Sequence, residues 1–64
     1  MPDLYDSCAY HVKRIDYTTL VLVDKRANNV IVADGDEMDL IETEAYLSGG
    51  YSDALCSCVA KMLG

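Results

Sequence analysis

The sequence contains no phenylalanine and no tryptophan, so any core must be aliphatic, with Tyr5, Tyr10, Tyr17, Tyr46 and Tyr51 as the only aromatics. No run reaches the roughly 18 apolar residues of a membrane-crossing helix, which argues against a membrane-embedded chain. No charged-then-apolar leader follows Met1, and no tag is evident, so the chain reads as a natural product of the cytoplasm. Three cysteines are too few, and odd in number, for a disulfide framework; reduced thiols are expected, at least one of them unpaired within the monomer. No glycine-rich phosphate cradle, dinucleotide fingerprint or zinc-protease helix occurs. The segment Asp34-Gly35-Asp36-Glu37-Met38-Asp39 fails as a calcium loop. Counted from Asp34, the positions that need Gly and Glu hold Asp39 and Ala45.

A further absence is local. Between Ala27 and Ala60 there is no lysine or arginine, while that interval holds Asp34, Asp36, Glu37, Asp39, Glu42, Glu44 and Asp53. Lys13, Arg14, Lys25 and Arg26 all lie in the first half. The formal net charge of −6 excludes a general binder of nucleic acid or anionic membrane.

With 64 residues, 52% apolar and 25% charged, residues 1–64 form one globular α+β domain. A chain this short buries only about 60% of the surface its unfolded form exposes, so oligomerisation, a metal or a cross-link would help it. Thr18 to Asp34 organises the rest. Two apolar runs, Leu20-Val21-Leu22-Val23 and Val30-Ile31-Val32-Ala33, flank a polar turn ending in Asn28-Asn29. β-Branched residues favour pleated strands, and Asn tolerates the left-handed backbone of hairpin loops. The reading is an antiparallel hairpin. Neither run alternates with polar residues, so both faces of each strand are expected to be covered.

Asp3 to Ile15 follows the helical period. Leu4, Tyr5, Cys8, Val12 and Ile15 form one stripe, acids come early and bases late, and Pro2 suits a first turn. The spacing predicts an N-terminal amphipathic helix. Asp36 to Ser48 supports two readings. One is a helix ended by Gly49-Gly50, with Met38, Ile41 and Ala45 on one face and Leu40 and Leu47 nearly opposite. The other, preferred here, is a third strand near Asp39 to Tyr46. From Ser52, a good N-cap, a C-terminal helix centred on Leu55, Val59, Met62 and Leu63 is expected.

Several chemistries can be weighed from this layout. Cys8, His11 and Cys56 or Cys58 could make a closed structural zinc site. However, Cys56 and Cys58, two apart on a helix, point in nearly opposite directions and cannot both ligate. These cysteines are better read as small buried hydrophobes. Cys8 or Ser57 with the only histidine, His11, lacks an orienting third group, so no catalytic residue, metal or cofactor is assigned. What remains is acidity. On a strand, Glu42 and Glu44 would project to one side about 7 Å apart, a spacing near that of phosphates. The expected function is non-catalytic: a small acidic protein that binds and blocks or regulates a larger partner with a basic surface. A phage-encoded inhibitor of a nucleic-acid-handling machine would look like this. Asp34, Asp36, Glu37, Asp39, Glu42 and Glu44 are the candidate contact residues, and no direct contact with nucleic acid or membrane is expected. Two alternatives stand beside it: the zinc-stabilised module, and a homo-oligomeric accessory or structural subunit. A homodimer is expected because so apolar a sheet and helix exceed what one chain covers.

Overall fold

The computed structural model describes residues 3–63; Met1, Pro2 and Gly64, and with them the helix-start role expected of Pro2, lie outside that span. The chain forms four strands and then two helices: β1 (Asp3–Asp6), β2 (Tyr10–Asp16), β3 (Thr19–Asp24), β4 (Asn29–Asp34), α1 (Asp36–Leu47) and α2 (Asp53–Leu63). The strands form one antiparallel sheet in sequence order.

Each connection in this meander is closed by a side-chain oxygen that takes up turn amides. The Ser7 hydroxyl accepts from the N–H groups of Ala9 and Tyr10. The Asp16 carboxylate accepts from Thr18, and that of Asp24 from Arg26 and Ala27. Short polar side chains that bond the backbone two or three residues ahead stabilise turns at the expense of helix. Asn28 completes the β3–β4 turn at φ 53°, the left-handed region Asn tolerates.

This turn chemistry overturns the N-terminal helix. Asp3 to Ile15 is two strands, with Ser7-Cys8-Ala9 as the corner between them. Of the proposed stripe, Val12 is buried and Tyr5 half-buried, whereas Leu4, Cys8 and Ile15 are exposed. The helical spacing was coincidental. β3 needs a main-chain partner on each side, and Tyr10–Asp16 supplies one with Val12 turned inward.

The third strand is overturned as well: Asp36–Leu47 is a helix, and the sheet gains its extra strands at the N-terminal side instead. Gly35, at φ 57°, turns the chain out of β4, and Met38, Ile41 and Ala45 pack inward. The helix stops where Gly49 and Gly50 adopt positive φ and the Gly50 N–H reaches back 2.7 Å to the Ala45 carbonyl. At α2 the Ser52 hydroxyl accepts from the Leu55 N–H, the N-cap its residue type favours.

Both helices pack on one face of the sheet. Across the strands Val12, Leu22 and Ile31 stand side by side, as do Leu20 and Ala33, and they meet Met38, Ile41, Cys56 and Val59. Fully burying each large aliphatic side chain contributes about 1.5–3 kcal/mol, which makes this single layer the stabilising core. The opposite face carries Val23 and Val30 beside His11, and Val21 and Val32 beside Lys13. Neither helix packs there; Val21 at its centre is nonetheless buried, while at the free edge Val30 and Val32 are each 59% exposed. The expectation that both faces would be buried therefore fails on β4, whose inward residues are Ile31 and Ala33.

Candidate functional site

The acidic side chains differ sharply in what they hold. From β1 through β3 and in the turns each is engaged. Asp3 Oδ1 lies 2.8 Å from His11 Nε2, without the alignment of a hydrogen bond. Asp6 accepts from Lys25 Nζ at 2.7 Å, while Asp16 and Asp24 hold their turns. The ammonium of Lys25 keeps the Asp6 carboxyl below the ordinary range, and the N–H and hydroxyl of Thr18 do the same for Asp16.

Asp53, in the first turn of α2, is the clamp between the last helix and the first strand. One of its oxygens accepts from the Ser7 hydroxyl and from the Tyr5 hydroxyl, each at 2.7 Å. These bonds favour the charged carboxylate, so its pKa is lowered, and the bond from Tyr5 raises that phenol's pKa in turn. Ser7 uses its lone pairs on two turn amides and its proton on Asp53, so the trio is a structural tie and not a nucleophile with its base. Sequence reasoning saw only a helix-start acid at Asp53, because the contact spans 46 residues.

Five of the six candidate acids behave otherwise. Glu42 is engaged: it faces the sheet and forms an ion pair with Arg14 of β2. Among the described residues, Asp34, Asp36, Glu37, Asp39 and Glu44 have no side-chain partner, and all five are exposed. The paired projection of Glu42 and Glu44 is lost with the strand. On a helix, residues two apart diverge by about 160°, so Glu42 points toward Arg14 and Glu44 toward solvent on another side.

α1 also presents apolar residues outward. With Met38, Ile41 and Ala45 buried, the positions opposite are Asp36, Leu40, Thr43 and Leu47, spaced i, i+4, i+7 and i+11. Leu40 is 43% exposed, Leu47 73%, and the neighbouring Tyr46 85%. Glu37 and Glu44 flank this ridge on one side and Asp39 on the other, with no basic residue in the last turn of the helix. The ridge escaped sequence reasoning, although the signal was present: Leu40 and Leu47 fall opposite the buried face, a position polar residues usually hold.

The other candidate chemistries are not assembled. Cys56 is buried in the core, and burial pushes its thiol up to about 11, which keeps it protonated and unreactive at neutral pH. Cys8 and Cys58 are exposed and free. Among the described residues no group of three or more His, Cys, Asp or Glu side chains is placed to hold a metal ion, so Cys8, His11, Cys56 and Cys58 are not gathered. A shallow open hollow of about 360 Å³ lies at the β2–β3 turn, lined by Arg14, Ile15, Asp16 and Tyr17. Arg14, its one cation, is already directed to Glu42 and to the carbonyls of Asp16 and Tyr17. No described helix is long and apolar enough to cross a membrane.

No protein-family model, curated protein or solved structure matches the chain.

Proposed function

We propose that the protein is a non-catalytic binding protein that seats the outer face of α1, with the adjoining end of β4, on a basic surface of a larger protein and so blocks or regulates it. One observation carries this reading: an exposed apolar ridge, Leu40 and Leu47 with Tyr46 beside it, is flanked by Glu37, Asp39 and Glu44, acids that have no partner within the described residues. Protein interfaces place apolar anchors at the centre and polar groups at the rim; the anchors supply affinity and the rim charges speed encounter. Because no lysine or arginine interrupts residues 28–59, the field over α1 has one sign and favours a cationic partner surface. A groove that ordinarily holds nucleic acid is one such surface.

The test separates ridge from rim. Three forms of the chain are immobilised: wild type, Glu37→Gln/Asp39→Asn/Glu44→Gln, and Leu40→Ser/Leu47→Ser. A basic protein retained by wild type, released as salt rises and lost from both variants supports the reading. Retention by all three forms would show that α1 is only a solvated surface.

A further inference from the structure

The two edges of the sheet are built differently. β1 is four residues long, has a bulge between Asp3 and Tyr5, and carries an acid at each end. Such features keep an edge from pairing with another chain. Of these β4 has only an acid at one end, Asp34. Residues 29–33 are uncharged, its register with β3 is uninterrupted, and proline and lysine are absent.

The hydrogen bonds show which groups this edge leaves open. The Lys25 N–H bonds the Ala9 carbonyl across the β2–β3 ladder, so odd-numbered residues of β3 direct their main-chain groups toward β2 and even-numbered ones toward β4. The Gly35 N–H bonds the Thr18 carbonyl, in agreement with that parity. Through the pairs Leu20–Ala33, Leu22–Ile31 and Asp24–Asn29, the odd residues of β4 are then satisfied by β3. The N–H and C=O groups of Val30 and Val32 point outward from the free edge, and their side chains stand on the uncovered face.

We infer that the open edge of β4 pairs antiparallel with the same strand of a second copy of this chain, giving one continuous sheet about a twofold axis at Ile31. In that register Val30 and Val32 of one copy exchange both main-chain bonds with Val32 and Val30 of the other. Their side chains then form a joint valine patch with Val21 and Val23. Charge selects this occupant. The antiparallel alignment sets the β3–β4 turn of one copy beside the β4–α1 junction of the other. Arg26, exposed and without an ion-pair partner among the described residues, there meets Asp34 and Asp36, and the twofold axis makes the contact twice. The dimer takes up Asp34 and Asp36, whereas the α1 ridge and its flanking Glu37, Asp39 and Glu44 face away from the sheet and stay free for a partner.

Sedimentation equilibrium is expected to give twice the 7.0 kDa chain mass for wild type at micromolar concentration. Val30→Lys/Val32→Lys should be a folded monomer by circular dichroism, since both sites are exposed. Arg26→Glu and Asp34→Arg should each weaken the dimer by about tenfold or more, because each sets like charges opposite one another. Mixed together, these two variants should restore it as a heterodimer with two opposite-charge contacts. In wild type, the amides of Val30 and Val32 should exchange slowly in proportion to dimer. A wild-type monomer at all accessible concentrations, fast exchange of both amides in a dimer, or a dimer that survives the lysine pair and is lost with Leu40→Ser/Leu47→Ser would overturn the inference.

Discussion

In the sheet, its turns and the start of α2, Asp3, Asp6, Asp16, Asp24 and Asp53 each hold a turn, a lysine, a histidine or a pair of hydroxyls. From the end of β4 through α1 the acids are denser, and only Glu42 has a partner among the described residues. The first region also holds Lys13, Arg14, Lys25 and Arg26, and the second holds no base; in the first carboxylates build the fold, and in the second they face solvent beside exposed leucines. Such a division separates charge that stability requires from charge available for recognition. It can be broken by showing that a solvent-facing residue is structural, or that an engaged one is not.

The largest effect is expected on the two sides of α1. Ile41→Ala removes a fully buried side chain and should cost about 2–5 kcal/mol, comparable to the whole stability of so small a domain. Leu40→Ala, one residue earlier and outward, should change stability by no more than about 0.5 kcal/mol. Urea denaturation of the two variants checks this directly. Equal losses would mean that Leu40 is part of the core and the ridge is not available to a partner.

That same helix explains where sequence reasoning stops. The β3–β4 hairpin was legible because Val and Ile concentrate there and Asn28-Asn29 marks the turn; α2 was legible from Ser52 and a continuous apolar face. α1 was misread as a strand because it is apolar on two sides. Met38, Ile41 and Ala45 serve the core while Leu40 and Leu47 do not, which blurs the helical pattern at the place where a functional surface is proposed. The N-terminal strands were missed for the opposite reason: an accidental helical stripe outweighed Ser7 and Asp16, whose turn-forming side chains were the true signal. Of the candidate site, the acids were visible but their differing engagement was not. Glu42 could be told from Glu44 only once Arg14 was placed on β2.

Next in size is the Asp53 clamp. Asp53→Ala removes the acceptor of two hydroxyls and should lower the melting temperature, and Tyr5→Phe should add less on that background than on wild type, since both act on one bond. Additive losses would show that Tyr5 and Asp53 do not interact. The pH dependence follows from the same groups. The carboxyls of Asp6, Asp16 and Asp53 all have folded pKa values below their unfolded ones. Their contribution is therefore complete above the unfolded value of roughly 4 and is lost as pH falls through the lower folded values. Thermal melts between neutral pH and pH of about 2 should show stability falling only below that point, and less steeply in Asp53→Ala.

The smallest effect is expected from the acids that lack partners, and its smallness is what makes it informative. Glu37 and Asp39 lie in the first turn of α1, where a negative charge favours the helix dipole by about 0.3–1 kcal/mol each. Opposing this, Asp34, Asp36, Glu37, Asp39 and Glu44 repel one another with no intervening base, and neutralising any of them relieves that repulsion. The two contributions have opposite sign and similar size. Glu37→Gln/Asp39→Asn/Glu44→Gln should then melt within a few degrees of wild type, and the small difference should shrink further as salt screens both terms. A large loss of stability would place these acids with Asp53 among the residues that build the fold. A near-unchanged melting temperature joined to lost retention of a basic partner would assign them to recognition, since folding would then give no account of why the chain keeps them together.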